Sequence, residues 1–115
     1  MSNIKSLRRA KMTLQGGRCY YCDLPMWEAE LCAVPGRRRA KALRCTAEHL
    51  QPRSEGGRDR SDNIVAACQF CNAARHKCKT PRQPDAHRAH VRKRMRQGRW
   101  LSALRHSEAP APLPG

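Results

Sequence analysis

Apolar positions in this chain are sparse and fall in short clusters separated by basic and turn-forming segments. Residues 3–14 bring Ile4, Leu7 and Leu14 to roughly one face, a weak helical period that predicts a short basic helix closed by Gly16-Gly17. Residues 26–32 (Met-Trp-Glu-Ala-Glu-Leu-Cys) fit either a helical turn or an edge strand. Pro35-Gly36, followed by Arg37, Arg38, Arg39 and Lys41, predicts an exposed basic loop. Residues 43–47 alternate as a strand does, with Glu48 and His49 at the strand's end, and Pro52 and Gly56-Gly57 then turn the chain. Ser61 or Asp62 is placed to cap a helix over residues 64–67. A second helix is expected to begin near Cys71, and a spacing of four puts Asn72 and His76 on one of its faces. Pro81 and Pro84 interrupt the pattern, and Asp85 is a candidate N-cap for a last helix ending near Gly98. That helix would carry a basic stripe, Arg88, Arg92 and Arg96, beside a narrow apolar one, Val91 and Met95. Trp100, Leu101 and Leu104 are expected to fold this arm back, and the Pro-rich end has the composition of a disordered tail. The boundaries this gives are a basic N-terminal helix over 1–16, a central domain over 17–80, a basic helical arm over 81–106 and a tail over 107–115.

A chain of 115 residues with 39% hydrophobic and 4% aromatic residues can build only a thin core. Small domains of this kind rely on a disulfide or a metal. Seven cysteines are an odd number, and the basic start of the chain (Lys5, Arg8, Arg9, Lys11) is followed by no apolar leader segment. No run approaches the roughly eighteen apolar residues of a membrane span. These features exclude a membrane-spanning helix and argue against a secreted disulfide scaffold. They point to a cytoplasmic protein whose paired cysteines hold metal. Charge then narrows the partner. Lys plus Arg number 24 against 9 acidic residues, a net +15, so a polyanion is expected: DNA, with RNA the alternative. Arg53, Arg58, Arg75, Arg88 and Arg92 are the candidate nucleic-acid contacts.

Cys19-Tyr20-Tyr21-Cys22 and Cys68-x-x-Cys71 form a four-cysteine set. Two intervening residues let both thiolates of a pair reach one tetrahedral zinc, and a closed four-thiolate site is structural because no position stays open for substrate. Cys32, Cys45 and Cys78 fall outside the pairs and are expected as small buried hydrophobes. His87, His90 and His106 have no partners by spacing and are expected at solvated positions of the arm. Phosphodiester hydrolysis needs an activated water, charge neutralisation at the phosphoryl oxygens and stabilisation of the leaving oxygen. A histidine can supply the first, and a divalent cation on oxygen and imidazole ligands the other two. Glu48 beside His49 fits that division, although neighbours on a strand point to opposite faces, so a bend must bring them to one site.

The ordered combination of Glu48-His49, Pro52-Arg-Ser-Glu-Gly-Gly57, Asn63-Ile-Val and Cys68-x-x-Cys71-Asn72, with Cys19-x-x-Cys22 upstream, resembles the zinc-containing branch of the HNH endonucleases over about residues 17–78. The resemblance implies a small α+β domain of the ββα-metal (HNH, His-Me finger) fold, with a structural four-cysteine zinc knuckle and flanking basic helices. It also implies His49 as general base, Asn63 as a loop-pinning residue, and Glu48, Asn72 and His76 as ligands of a catalytic cation, Mg2+ or a transition metal. Products would carry 5′-phosphate and 3′-hydroxyl ends. Glu48 stands where many members have Asp or His, and Asn72 where many have His. The expected activity is a metal-dependent DNA endonuclease acting as a monomer or weak dimer; the alternative is a zinc-stabilised nucleic-acid-binding module without chemistry.

Overall fold

The computed structural model describes residues 3–28 and 38–101. Cys32, Arg37, Leu104, His106 and the Pro-rich tail lie outside the described residues. The elements in chain order are α1 (Ile4–Leu14), α2 (Arg38–Ala42), β1 (Cys45–His49), β2 (Ile64–Cys68), α3 (Gln69–His76) and α4 (Pro84–Arg96). Single 3₁₀ turns at Arg53–Glu55 and Ser61–Asn63 shape the connection between the strands.

Helix α1 starts where the Asn3 side chain accepts a bond from the Ser6 amide (2.8 Å), satisfying one of the free N–H groups of the first turn. It buries Leu7 but leaves Leu14 exposed to solvent. Beyond its end, the Gln15 amide lies along β2, donating to the Ala66 carbonyl (2.8 Å) and accepting from the Ala66 N–H (2.9 Å). A side chain thus satisfies an edge that a third strand would otherwise take.

Strands β1 and β2 pair antiparallel from Cys45↔Cys68 to His49↔Ile64. Three expectations are corrected here. Residues 64–67 are strand, not helix: Ile64 and Val65 are β-branched, all five residues of β2 are buried, and pairing with β1 satisfies their backbone. The capping signal at Ser61-Asp62 serves only the 3₁₀ turn that precedes β2. Strand β1 also runs two residues later than the alternation predicts, so Glu48 and His49 are strand residues. The residues at 38–42, expected as loop, form the short helix α2.

The pleat sorts β1 by faces. Thr46 and Glu48 meet α3, which leaves β2 without a loop and is capped by Cys68, whose sulfur accepts the Cys71 N–H. Helix α4 packs through Val91 and His87, both fully buried. His87 stands in a core, not in solvent: it lies 4.7 Å from the Tyr21 ring and its Nε2 is 3.0 Å from the Cys71 carbonyl, and burial lowers its pKa. Cys45 is buried as expected, whereas Cys78 is exposed. The core is small, and all four paired cysteines belong to it together with Tyr21, Met26, Leu43, Ala66, Ala67, Val91 and Leu101. The result is an α+β domain in which β1, β2 and α3 form a ββα unit closed by a cysteine knuckle.

Candidate active site

The knuckle comes first because it fixes where β2, α3 and Tyr21 can lie. Cys19, Cys22, Cys68 and Cys71 are buried, and their sulfurs all lie within 4.8 Å of one another, Cys22 and Cys68 at 3.9 Å. Four thiolates around an ion at about 2.3 Å stand roughly 3.8 Å apart, so the spacing fits one tetrahedral metal ion. Donors aim at the sulfurs as thiolates require: the Cys68 N–H reaches Cys19 Sγ at 3.2 Å, and the Trp100 indole N–H reaches Cys71 Sγ at 3.3 Å. Hydrogen bonds from Cys22, Cys68 and Cys71 hold the Cys19 thiol far below its ordinary range, while bonding to Cys19 pushes Cys68 and Cys71 far up.

On the α3 face of β1, Glu48 is almost fully buried. Its Oε2 accepts the Tyr21 hydroxyl (2.8 Å) and Arg75 Nη1 (2.9 Å), and its Oε1 lies 2.9 Å from His76 Nε2. Burial, then the charge of Glu48, pushes the Tyr21 hydroxyl far above its usual range, so it remains a donor. Two cis ligands of an octahedral cation at about 2.1 Å stand about 3 Å apart. The separation of Glu48 Oε1 and His76 Nε2 therefore fits a shared cation. Asn72 fastens α3 to β1: its Nδ2 donates to Thr46 Oγ1 (3.0 Å) and the Ala47 carbonyl (3.2 Å), which leaves Oδ1 as its candidate ligand atom.

His49 stands on the opposite side of the strand end, beneath the loop to β2. Its Nε2 is 2.7 Å from Asp59 Oδ1, and Arg53 reaches both Asp59 oxygens with Nη2 (3.0 and 2.9 Å). The hydrogen bond to His49 is the main reason that the Asp59 carboxyl is held below its ordinary range. Asn63 gathers this loop: the Gln51 N–H donates to its Oδ1 (2.8 Å), and its Nδ2 donates to the carbonyls of Gln51 (3.1 Å) and Arg58 (3.0 Å). The turn admits no side chain at Gly57, where a Cβ would stand 1.7 Å from the Gln51 carbonyl oxygen.

Glu48, Asn72 and His76 thus share one face, and His49, at the end of β1, and Asn63, before β2, flank the adjoining loop. The candidate nucleic-acid contacts divide. Arg53 and Arg58 are exposed, and Arg53 Nε lies 3.2 Å from His49 Nε2. Arg75 is 1% exposed, its guanidinium bound to Glu48 and to the carbonyls of His49, Leu50 and Arg82, so it is a structural residue and not a phosphate contact. Arg88 lies 4.0 Å over the Tyr20 ring and donates to the Tyr20 carbonyl, and Arg92 donates to the Tyr21 carbonyl. Both guanidinium groups therefore dock α4 on the knuckle. Sequence reasoning missed Tyr21 and Asp59. The Tyr between two ligand cysteines was a signal for the first, and the acid two residues after Gly-Gly for the second.

Among the described residues no helix is long and apolar enough to cross a membrane. No curated protein and no solved structure matches the chain. Residues 30–78, which hold β1, the loop after His49, β2 and α3, match the family model described as HNH endonuclease.

Proposed function

We propose that the domain is a metal-dependent endonuclease that hydrolyses phosphodiester bonds in DNA. The observation that carries this reading is the division of labour at the end of β1. Glu48 turns inward to His76, and His49 turns outward to Asp59 under a loop flanked by Arg53 and Arg58. A module that only bound nucleic acid would have no need of a buried carboxylate paired with an imidazole beside a second, oriented imidazole.

In the proposed reaction the His49 imidazole, whose Nε2 lies 2.7 Å from Asp59 Oδ1 and 3.2 Å from Arg53 Nε, takes a proton from water. The water oxygen bonds to phosphorus, the bond from phosphorus to the 3′-oxygen breaks, and that oxygen is protonated from solvent. Asp59 stabilises the imidazolium that forms. Asn63 holds the loop so that the ring keeps its orientation, and Arg53 and Arg58 meet the flanking phosphates. Glu48 Oε1, His76 Nε2 and Asn72 Oδ1 would hold the catalytic divalent cation, Mg2+ or a transition metal, which when bound neutralises the phosphoryl oxygens and the departing 3′-oxygen. Cys19, Cys22, Cys68 and Cys71 would hold a structural Zn2+ that keeps the ββα unit closed.

Plasmid cleavage with added Mg2+ or Mn2+ tests the reading. The native protein should cut, and His49→Ala should cut about 10²–10⁴-fold more slowly with unchanged zinc content and melting temperature. A native protein that binds plasmid but leaves it intact with every cation tried would make the domain a binding module instead.

A further inference from the structure

Glu48 is held by more of the protein than a cation ligand requires. We infer that Tyr21, from within the cysteine knuckle, and Arg75, from α3, are positioning residues that confine Glu48 to ligation through one oxygen and so couple the cysteine site to the cation site. The inference rests on the proposed reading that Glu48 binds the cation.

The two oxygens of Glu48 have different surroundings. Oε2 takes two donors from residues that are themselves buried, the Tyr21 hydroxyl at 2.8 Å and Arg75 Nη1 at 2.9 Å. Oε1 faces His76 Nε2 at 2.9 Å. A carboxylate with one oxygen doubly engaged has the other to offer, which sets one-oxygen coordination. Neither donor is free to leave. Arg75 is tied at Nε to the Arg82 carbonyl (2.7 Å), at Nη1 to the His49 carbonyl (2.9 Å) and at Nη2 to the Leu50 carbonyl (2.8 Å).

Tyr21 is fixed from both sides of its ring and through its backbone. Edge-to-face contacts with Tyr20 (5.2 Å) and His87 (4.7 Å) hold the ring, its N–H lies 3.4 Å from Cys19 Sγ, and its carbonyl accepts from Arg92. Packing between two ligand cysteines would be met by Phe. The buried hydroxyl instead crosses to another element and donates to the carboxylate. The loop that wraps one metal therefore aims a ligand of the other, so filling of the cysteine site is transmitted to Glu48 through a single rigid ring.

The test is Mn2+ titration of zinc-loaded protein without DNA, followed by calorimetry and by the Mn2+ paramagnetic signal. Tyr21→Phe keeps the ring and should retain one zinc per chain. Loss of an outer-shell partner should weaken Mn2+ binding about 10-fold or more and raise the cation concentration for half-maximal cleavage equally, with DNA affinity unchanged. Glu48→Gln is measured beside it. If Glu48→Gln binds Mn2+ as the native protein does, the underlying assignment of Glu48 as a ligand falls. If Glu48→Gln loses binding while Tyr21→Phe keeps native affinity, the assignment stands and the positioning inference is overturned. Should Tyr21→Phe lose zinc, Arg75→Lys is read in the same assay. It keeps a cation near Glu48 but not the fork, and native Mn2+ affinity there overturns the inference.

Discussion

Replacing Arg75 by Met should destabilise the domain far more than it weakens DNA binding. The guanidinium is 1% exposed and touches a carboxylate that is also 1% exposed. Met keeps most of the length and the apolar stem but leaves Glu48 with only the Tyr21 hydroxyl and His76. It also frees the carbonyls of His49, Leu50 and Arg82, all half-buried residues whose carbonyls can regain water. Breaking a buried pair by removing one partner costs about 3–5 kcal/mol, chiefly from the charge left behind. For a domain of this size each kcal/mol lowers the melting temperature by about 4–8 °C, so a loss near 4 kcal/mol corresponds to a fall of roughly 16–32 °C. Calorimetric melts must be run with zinc in fixed excess, because bound metal shifts the apparent stability by mass action. Arg75→Lys should fall between the native protein and Arg75→Met, since it restores a charge but cannot reach three carbonyls and a carboxylate together. A phosphate-contacting arginine would behave oppositely, leaving the melt unchanged and reducing the salt dependence of DNA binding by about one counterion. If Arg75→Met melts within about 3 °C of the native protein, the structural role assigned to the buried guanidinium is wrong.

Cys68→Ser removes a ligand at the junction of β2 and α3. Since structural zinc contributes on the order of 10 kcal/mol in small zinc domains, the variant should be unfolded at room temperature by circular dichroism and free of zinc by mass spectrometry. Asn63→Ala deletes three hydrogen bonds that gather the loop between the strands. At about 1 kcal/mol each, stability should fall by roughly 2–3 kcal/mol in urea titration, and protease cleavage within residues 50–63 should accelerate. Asp59→Asn should slow single-turnover cleavage by about 10-fold or more while DNA affinity holds, because an amide neither fixes the His49 tautomer nor stabilises the imidazolium; unchanged cleavage would remove Asp59 from the mechanism.

What the sequence made legible was local. Two residues between cysteines, or a spacing of four from Asn72 to His76, are constraints that a metal or a helix face imposes on neighbouring positions, and they survive any uncertainty about tertiary structure. Residues 64–67 show the limit. A short apolar run has too few positions to distinguish a helical from an extended period, so the capping residues at 61 and 62 tipped the reading toward helix. Pairing with β1, which lies beyond a long loop, decides otherwise. The docking roles of Arg75, Arg88 and Arg92 were hidden for a related reason. Their partners are backbone carbonyls at positions 20, 21, 49, 50 and 82, and a carbonyl leaves no mark in a sequence. In a chain of net +15 a structural arginine is camouflaged among phosphate-seeking ones.

The same contacts explain why a domain with so thin a core tolerates an ionic cluster at its centre. Buried ion pairs contribute little net stability, because desolvation offsets their attraction, yet they fix geometry when each partner is satisfied. Glu48, Arg75, Tyr21 and His76 form such a network, while in the core Ala66, Ala67 and the cysteines supply little bulk. A closed four-cysteine metal site provides the stability that larger side chains would otherwise provide, and it does so without occupying the space around β1. The knuckle is therefore the condition that lets a carboxylate and an imidazole stay as close and as dry as the proposed cation site requires. Domains that stiffened the same region with Leu and Phe would fill the ground on which Glu48 and His76 meet.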